Sequence, residues 1–163
     1  MFSFAVASQT SMAEEARYGG AGASRSAITG KGYETSLKGT GYKAYLGYKL
    51  NEHNALEMAY VNFGDIDANS GERFSGSAIQ INWMYFIPVA QQFRLSAGLG
   101  GHKWWTDMTN RAVSMRDQDA GLSYSLGFEI DLTSAAGLRF EYETFETGST
   151  KVNQYGFSLF KRF

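Results

Sequence analysis

The sequence predicts an all-β fold, an eight-stranded antiparallel up-and-down transmembrane β-barrel, and three observations carry that expectation. First, Leu122 to Leu132 and Leu138 to Thr144 alternate strictly on either side of the turn Thr133-Ser134-Ala135-Ala136. One row reads Leu122, Tyr124, Leu126, Phe128, Ile130, Leu132, Leu138, Phe140 and Tyr142. The other reads Gly121, Ser123, Ser125, Gly127, Glu129, Asp131, Arg139, Glu141 and Glu143. A period of two with one greasy face and one small, charged face suits a wall between lipid and a polar interior. Second, the connections between strand-like runs alternate long and short, as extracellular loops and periplasmic turns do. Third, the chain holds 19 glycines and 15% aromatics, but no run near the ~20 apolar residues of a membrane helix.

With 163 residues the chain is one domain, and eight strands of roughly 9–11 residues fit that length. A net charge of −1 disfavours nucleic acid as a partner. Cysteine is absent, and His53 and His102 are too far apart to form a ligand motif. No metal and no other cofactor is therefore expected. The single proline, Pro88, suits a chain that is mostly sheet. Gly98, Gly100 and Gly101 stand inside a strand rather than before a helix, which marks close packing or a bend and not a phosphate loop.

In chain order, Phe2 to Ala13 resembles the tail of a secretory signal without its basic leader. Residues 1–16 are expected to be a residual signal or disordered segment, and 17–163 the barrel domain. The first strand is placed at Arg17–Ala27 and a polar loop at Ile28–Gly39. Tyr42, Ala44, Leu46, Tyr48 and Leu50 then face one way, and Lys43, Tyr45, Gly47 and Lys49 the other. After Asn51-Glu52-His53-Asn54, Leu56, Met58 and Tyr60 oppose Glu57, Ala59 and Val61. A second loop is placed at Gly64–Gly76. Ile79, Ile81, Trp83, Tyr85 and Ile87 form the next outward row, and Pro88–Gln92 turns back. Phe93, Leu95, Ala97 and Leu99 oppose Arg94, Ser96, Gly98, Gly100 and His102, with Trp104 and Trp105 closing that strand as expected anchors at the outer interface. A third loop is placed at Thr106–Asp119. The last strand puts Tyr155, Phe157, Leu159 and Phe163 outward, with Lys161 interrupting the row near an interface where it can snorkel.

Several stretches carry a family resemblance. Leu46-Gly47-Tyr48-Lys49-Leu50-Asn51, with Ala55-Leu56-Glu57-Met58-Ala59-Tyr60, resembles the second hairpin of the outer-membrane protein A transmembrane domain. Leu99-Gly100-Gly101-His102-Lys103-Trp104 is similar to that family's fifth strand. Gly127-Phe128-Glu129-Ile130-Asp131-Leu132-Thr133 and Leu138-Arg139-Phe140-Glu141-Tyr142 resemble its sixth and seventh. Coverage runs from Tyr18 to Phe163. The resemblance implies an integral bacterial outer-membrane barrel, and the alternation of long and short connections would place its termini in the periplasm. It also implies that Phe163 is the aromatic read by the assembly machinery. Glu57, Glu129 and Arg139 would match the family's lumenal charge cluster. No peptidoglycan-binding sequence follows Phe163 here, so cell-wall tethering is not carried over.

The facing assignments put Lys43, Lys49, Arg94, His102, Arg139 and Arg162 inside with Glu57, Glu129, Asp131, Glu141 and Glu143. An interior this narrow is filled by side chains. A packed network of Lys43, Glu57, Arg94, Glu129, Arg139 and Glu141 is therefore expected, with a small gated pore as the alternative. Tyr42, Tyr48, Trp83, Tyr85, Trp105, Tyr124 and Phe163 are expected at the membrane interfaces. An enzyme is disfavoured, because six residues of extended strand separate His102 from Ser96 by about 20 Å. A lipid A-modifying enzyme using His102 and a serine from another strand is the remaining catalytic alternative. The long loops would meet a surface ligand or lipopolysaccharide phosphates, with Arg73, Arg111 and Arg116 as candidates. The expected partners are thus outer-membrane lipids, lipopolysaccharide and the assembly machinery, the barrel itself being a monomer. The rival fold is a soluble lipocalin-like barrel with its apolar row turned inward. The small, glycine- and serine-rich polar row argues against that.

Overall fold

The computed structural model describes residues 16–30, 37–67, 73–110, 113–148 and 150–163. The leader-like segment falls outside them. Eight strands follow one another: β1 (Arg17–Gly30), β2 (Leu37–Lys49), β3 (Asn54–Asp67), β4 (Arg73–Ala90), β5 (Phe93–Asn110), β6 (Val113–Asp131), β7 (Ala136–Thr147) and β8 (Thr150–Arg162). Each pairs antiparallel with its sequence neighbour, and β1 pairs with β8, so the sheet closes into a barrel. Among the described residues no helix is long and apolar enough to cross a membrane, and a barrel crosses with strands instead.

The alternation read in the sequence becomes the two sides of this wall. On β2, Tyr42, Leu46 and Tyr48 are exposed while Lys43 and Tyr45 are buried. On β6, Leu122, Tyr124 and Leu126 face out, and Ser123, Ser125 and Glu129 face in. Leu126, 66% exposed well inside its strand, belongs to an outward apolar row that suits acyl chains rather than water. The outer wall of β5–β8 carries a run of rings in contact: Phe93–Phe128 at 5.5 Å, Phe128–Phe140 at 4.9 Å and Phe140–Phe157 at 4.9 Å. Such cross-strand aromatic pairs help set the register.

Three tight turns, at 50–53, 91–92 and 132–135, lie at one end of the barrel together with Ala16 and Phe163. Short polar side chains hold two of them. The Asn51 carboxamide oxygen accepts from the backbone N–H of His53 and of Asn54, both at 2.9 Å. The Thr133 hydroxyl accepts from Ala135 and Ala136 at 3.2 and 3.0 Å.

The opposite end corrects the expected loops. β1 runs on to Gly30 and β2 starts at Leu37, inside the span 28–39. β3 reaches Asp67 and β4 starts at Arg73, inside 64–76. β5 and β6 continue to Asn110 and from Val113, inside 106–119. Backbone pairing needs no apolar row, so ladders continue past the level where lipid imposes alternation. Pro88 also lies within β4, opposite Arg94, where the register shifts before Ala90. At the far end of β3 a bulge falls between Asn62 and Gly64, and Gly64 has φ of 80°. A Cβ there would stand 2.0 Å from the Thr40 carbonyl oxygen, so only glycine fits.

Inside, glycines make room for rings. Tyr18 pairs with Gly47 and Tyr45 with Gly20 across the β1–β2 ladder. A Cβ on Gly47 would lie 2.1 Å from the Tyr18 ring, and one on Gly20 would lie 2.5 Å from the Tyr45 ring. The two tyrosines therefore lie over the two glycines, edge to face at 6.2 Å.

Candidate functional site: the charged lumen

From the tight-turn end upward, the lumen is layered. At the mouth, Arg94 on β5 donates to Glu129 at 2.9 Å and to Asp131 at 2.8 Å, both on β6. Arg162 on β8 reaches the same Asp131 and also donates to the Ser134 carbonyl at 3.1 Å.

Arg139 on β7 occupies the next level, its side chain fully buried. Its Nε and Nη2 donate to Glu129 Oε1 at 2.9 and 2.7 Å, and its Nη1 donates to Glu57 Oε2 at 2.6 Å. The guanidinium carbon stands 4.3 Å from the Tyr45 ring centre and 5.4 Å from that of Tyr18. The Tyr18 hydroxyl donates to Glu57 at 3.0 Å. Above it, Lys43 donates to Glu141 at 2.7 Å and to Glu143 at 2.8 Å and stands 3.7 Å from Glu57. The Gln80 amide donates to Glu143 at 2.9 Å.

Signs alternate along a continuous path, Glu143–Lys43–Glu57–Arg139–Glu129–Arg94–Asp131–Arg162. Each charge left alone in so dry a place would cost several kcal/mol, whereas here each carboxylate meets at least one cation. The expected six, Lys43, Glu57, Arg94, Glu129, Arg139 and Glu141, all join this lattice. Glu143, Asp131, Arg162 and the two tyrosines complete it.

The sequence reading missed the layer above. Val61 and Phe63 on β3, Ala78 on β4, Trp104 on β5, Phe145 on β7 and Val152 on β8 form a buried apolar cluster at the loop end of the lumen. Phe63 meets Phe145 at 5.1 Å and Trp104 at 6.5 Å, both edge to face. Trp104 is thus an interior residue and not an interface anchor. Its parity said so, since it stands two residues from lumenal His102. Likewise Phe145 stands two from Glu143, and Phe63 two from Val61. Counting by twos along the inward rows shows them turning from charged to apolar toward the loops.

Between lattice and cap lie small polar groups. Ser123 donates to Asn82 at 2.7 Å. Ser24, Ser26 and Gln154 carry buried polar atoms without a hydrogen-bond partner among the described residues, the setting in which internal water resides. His102 packs edge to face on Phe145 at 5.2 Å, and no hydrogen bond joins it to a serine among the described residues.

Of the interface aromatics, Tyr42, Tyr48, Trp83, Tyr85, Tyr124 and Phe163 are exposed on the outer wall, and Trp105 is half-buried there. Trp83 donates its indole N–H to Asn54 at 3.0 Å near the tight-turn end. The side chains of Arg73, Arg111 and Arg116 lie outside the described residues.

Among the described residues no cluster of side chains could hold a metal ion. A closed ring of eight antiparallel strands, apolar outside and ion-paired within, defines the class: a small transmembrane β-barrel. The chain belongs to the outer membrane protein beta-barrel domain family, which matches it over residues 1–163. Its place is accordingly the bacterial outer membrane. No curated protein matches the sequence. Among solved structures, the chain is similar to Neisserial surface protein A, NspA, with a TM-score of 0.79 and 14% identity, over 91% of this chain and 97% of that one. It is also similar to Ail, the attachment invasion locus protein of Yersinia pestis (TM-score 0.70, 15% identity, 91% of this chain and 99% of that one). A third is OprG of Pseudomonas aeruginosa (0.65, 12%, 92% and 97%). At such identities the likeness is one of fold.

Proposed function

We propose that this protein is a non-catalytic, monomeric outer-membrane barrel whose lumen is sealed and whose contacts are made by its outer wall and its loop end. One observation carries the reading: two layers of buried side chains stand in the lumen, the ion-paired lattice around Arg139 and the apolar cluster that includes Phe63, Trp104 and Phe145. The tight turns and both termini face the periplasm in this reading, because short turns are the periplasmic ends of such barrels. Phe163, outward on the wall beyond Arg162, is the aromatic offered to the assembly machinery. Ail has been crystallised with a heparin analogue, sucrose octasulfate. For this chain a polyanion or surface ligand would be met at the loop end, where Arg73, Arg111 and Arg116 fall in sequence.

Planar-bilayer recording tests the sealed lumen. The wild type passes no steady single-channel current, and Glu129→Ala passes none either because the cap remains. Regular openings in the wild type that Arg139→Ala or Glu129→Ala abolishes would replace the sealed barrel with a gated pore. A lipid A modification assay addresses catalysis: wild type and His102→Ala should be equally inert, and turnover lost in the variant would make the chain an enzyme.

A further inference from the structure

On the outer wall at the loop end, beside the β1–β2 ladder, two cations stand without a counter-charge among the described residues. Arg25 on β1 and Lys38 on β2 both face outward and are exposed. Neither has an ion-pair partner among the described residues. Arg25 lies opposite Thr40, and Lys38 opposite Ala27, so the two are diagonal neighbours on one face. Diagonal Cβ atoms are about 7–8 Å apart, within the reach of two long side chains converging on one anion. The other outward cation near this seam, Lys151, is already neutralised by Glu146. Tyr155 and Thr40 flank Arg25, and Asn153 stands beside Ala27, so polar groups surround the pair.

Directly below, the wall is hollow. Descending β1 from Arg25, the outward positions are Ala23, Ala21 and Gly19. A depression of 540 Å³ opens beside them, lined by Gly19, Ala44, Leu46, Met58, Tyr60 and Phe163. Ala44 pairs with Ala21, so the hollow and the alanines are continuous. From Arg25 to Gly19 is six residues, about 20 Å along the strand and about 15 Å along the membrane normal at the usual tilt. That is half of the ~30 Å hydrocarbon core, the depth of one leaflet.

We propose that this face binds one phosphorylated lipid, its phosphate held by Arg25 and Lys38 and an acyl chain lying over Ala23, Ala21 and Ala44. The membrane supplies the occupant: what covers this wall is lipid, and two uncompensated cations above an apolar hollow select a lipid with phosphate at its head. Arginine takes phosphate with two parallel N–H bonds, so it orients the headgroup as well as attracting it. The proposal rests on the reading of the outer wall as lipid-facing.

Native mass spectrometry of the folded protein in detergent tests it, with bis-phosphorylated lipid A, dephosphorylated lipid A and inorganic phosphate as probes. The heat-dependent gel shift certifies folding of each variant. Arg25→Ala/Lys38→Ala should weaken binding of the phosphorylated lipid at least tenfold, and Arg25→Lys should recover part of that. Lys103→Ala, an outward cation elsewhere on the wall, should leave it within twofold. Ala44→Phe, which fills the hollow, should weaken it with both cations in place. Equal binding by wild type and the double variant, or equal binding of the dephosphorylated lipid, overturns the site. Full displacement by millimolar phosphate reduces it to an anion site and overturns the acyl contact. A folded barrel that binds no phosphorylated lipid refutes the site alone, whereas a chain that stays in aqueous buffer without detergent refutes the membrane reading too.

Discussion

Replacing Arg139 by methionine is the sharpest test of how the lumen is held. Methionine keeps most of the volume and an apolar stem against Tyr18 and Tyr45, so the loss is of charge and hydrogen bonds rather than of packing. Three bonds to two buried carboxylates vanish. Glu129 keeps Arg94, but Glu57 is left with the Tyr18 hydroxyl and Lys43 at 3.7 Å. Breaking a buried pair from one side costs about 3–5 kcal/mol, most of it the stranded charge. Neutralising the partners should therefore undo most of the damage: Glu57→Gln/Glu129→Gln/Arg139→Met should lie within about 2 kcal/mol of wild type. Urea titration in lipid vesicles, followed by tryptophan fluorescence, measures both. Arg139→Met within about 0.5 kcal/mol of wild type, or a triple variant no better than the single one, would refute the view that the lattice is held by charge compensation.

Other substitutions probe the wall, the ring packing and the cap. Leu126→Arg, within the outward apolar row of β6, should cost about 2–4 kcal/mol in lipid, while Leu132→Arg at the tight-turn rim should cost about 0–1 kcal/mol. Equal costs in vesicle titrations would mean that the apolar row does not sit across the bilayer. Gly47→Ala drives a methyl group into the Tyr18 ring and should cost about 1–3 kcal/mol, with Tyr18→Ala relieving the clash in a double-mutant cycle. Phe63→Ala/Phe145→Ala combined with Glu129→Ala should let water and small ions through in the bilayer recording. The same assay stays silent for either change alone if both barriers count. Spin labels at Phe128 and Phe140 should report hydrocarbon, and one at Ser125 a polar interior; the reverse pattern would turn the barrel inside out.

What the sequence revealed follows from where lipid acts. Within the bilayer each outward position must be apolar, so Leu122 to Leu132 and Ile79 to Ile87 declare both strand and facing. Beyond that depth neither face is constrained, and segments such as Lys38–Gly39 or Ser75–Gly76 read as loop though they pair residue by residue. The lattice was legible as inward positions, because Lys43, Glu57, Glu129, Arg139 and Glu141 each hold the right parity. Which carboxylate meets which cation was not, since Arg139 and Glu57 lie on strands far apart in the chain and meet only across the lumen. Trp104 stands near the end of the apolar row, where tryptophan ordinarily anchors an interface, but its parity with His102 turns it into the lumen.

The seam between β1 and β8 runs from Tyr18↔Arg162 to Gly30↔Thr150, so the first strand has no second neighbour until the last has been laid down. Until that clasp shuts, the chain is a curled sheet with two raw margins. Bare amides and carbonyls in hydrocarbon are penalised by several kcal/mol each. A shortened chain lacking β8 is therefore not a smaller barrel but an unfinished one, and insertion into the bilayer and completion of the ring have to be a single event.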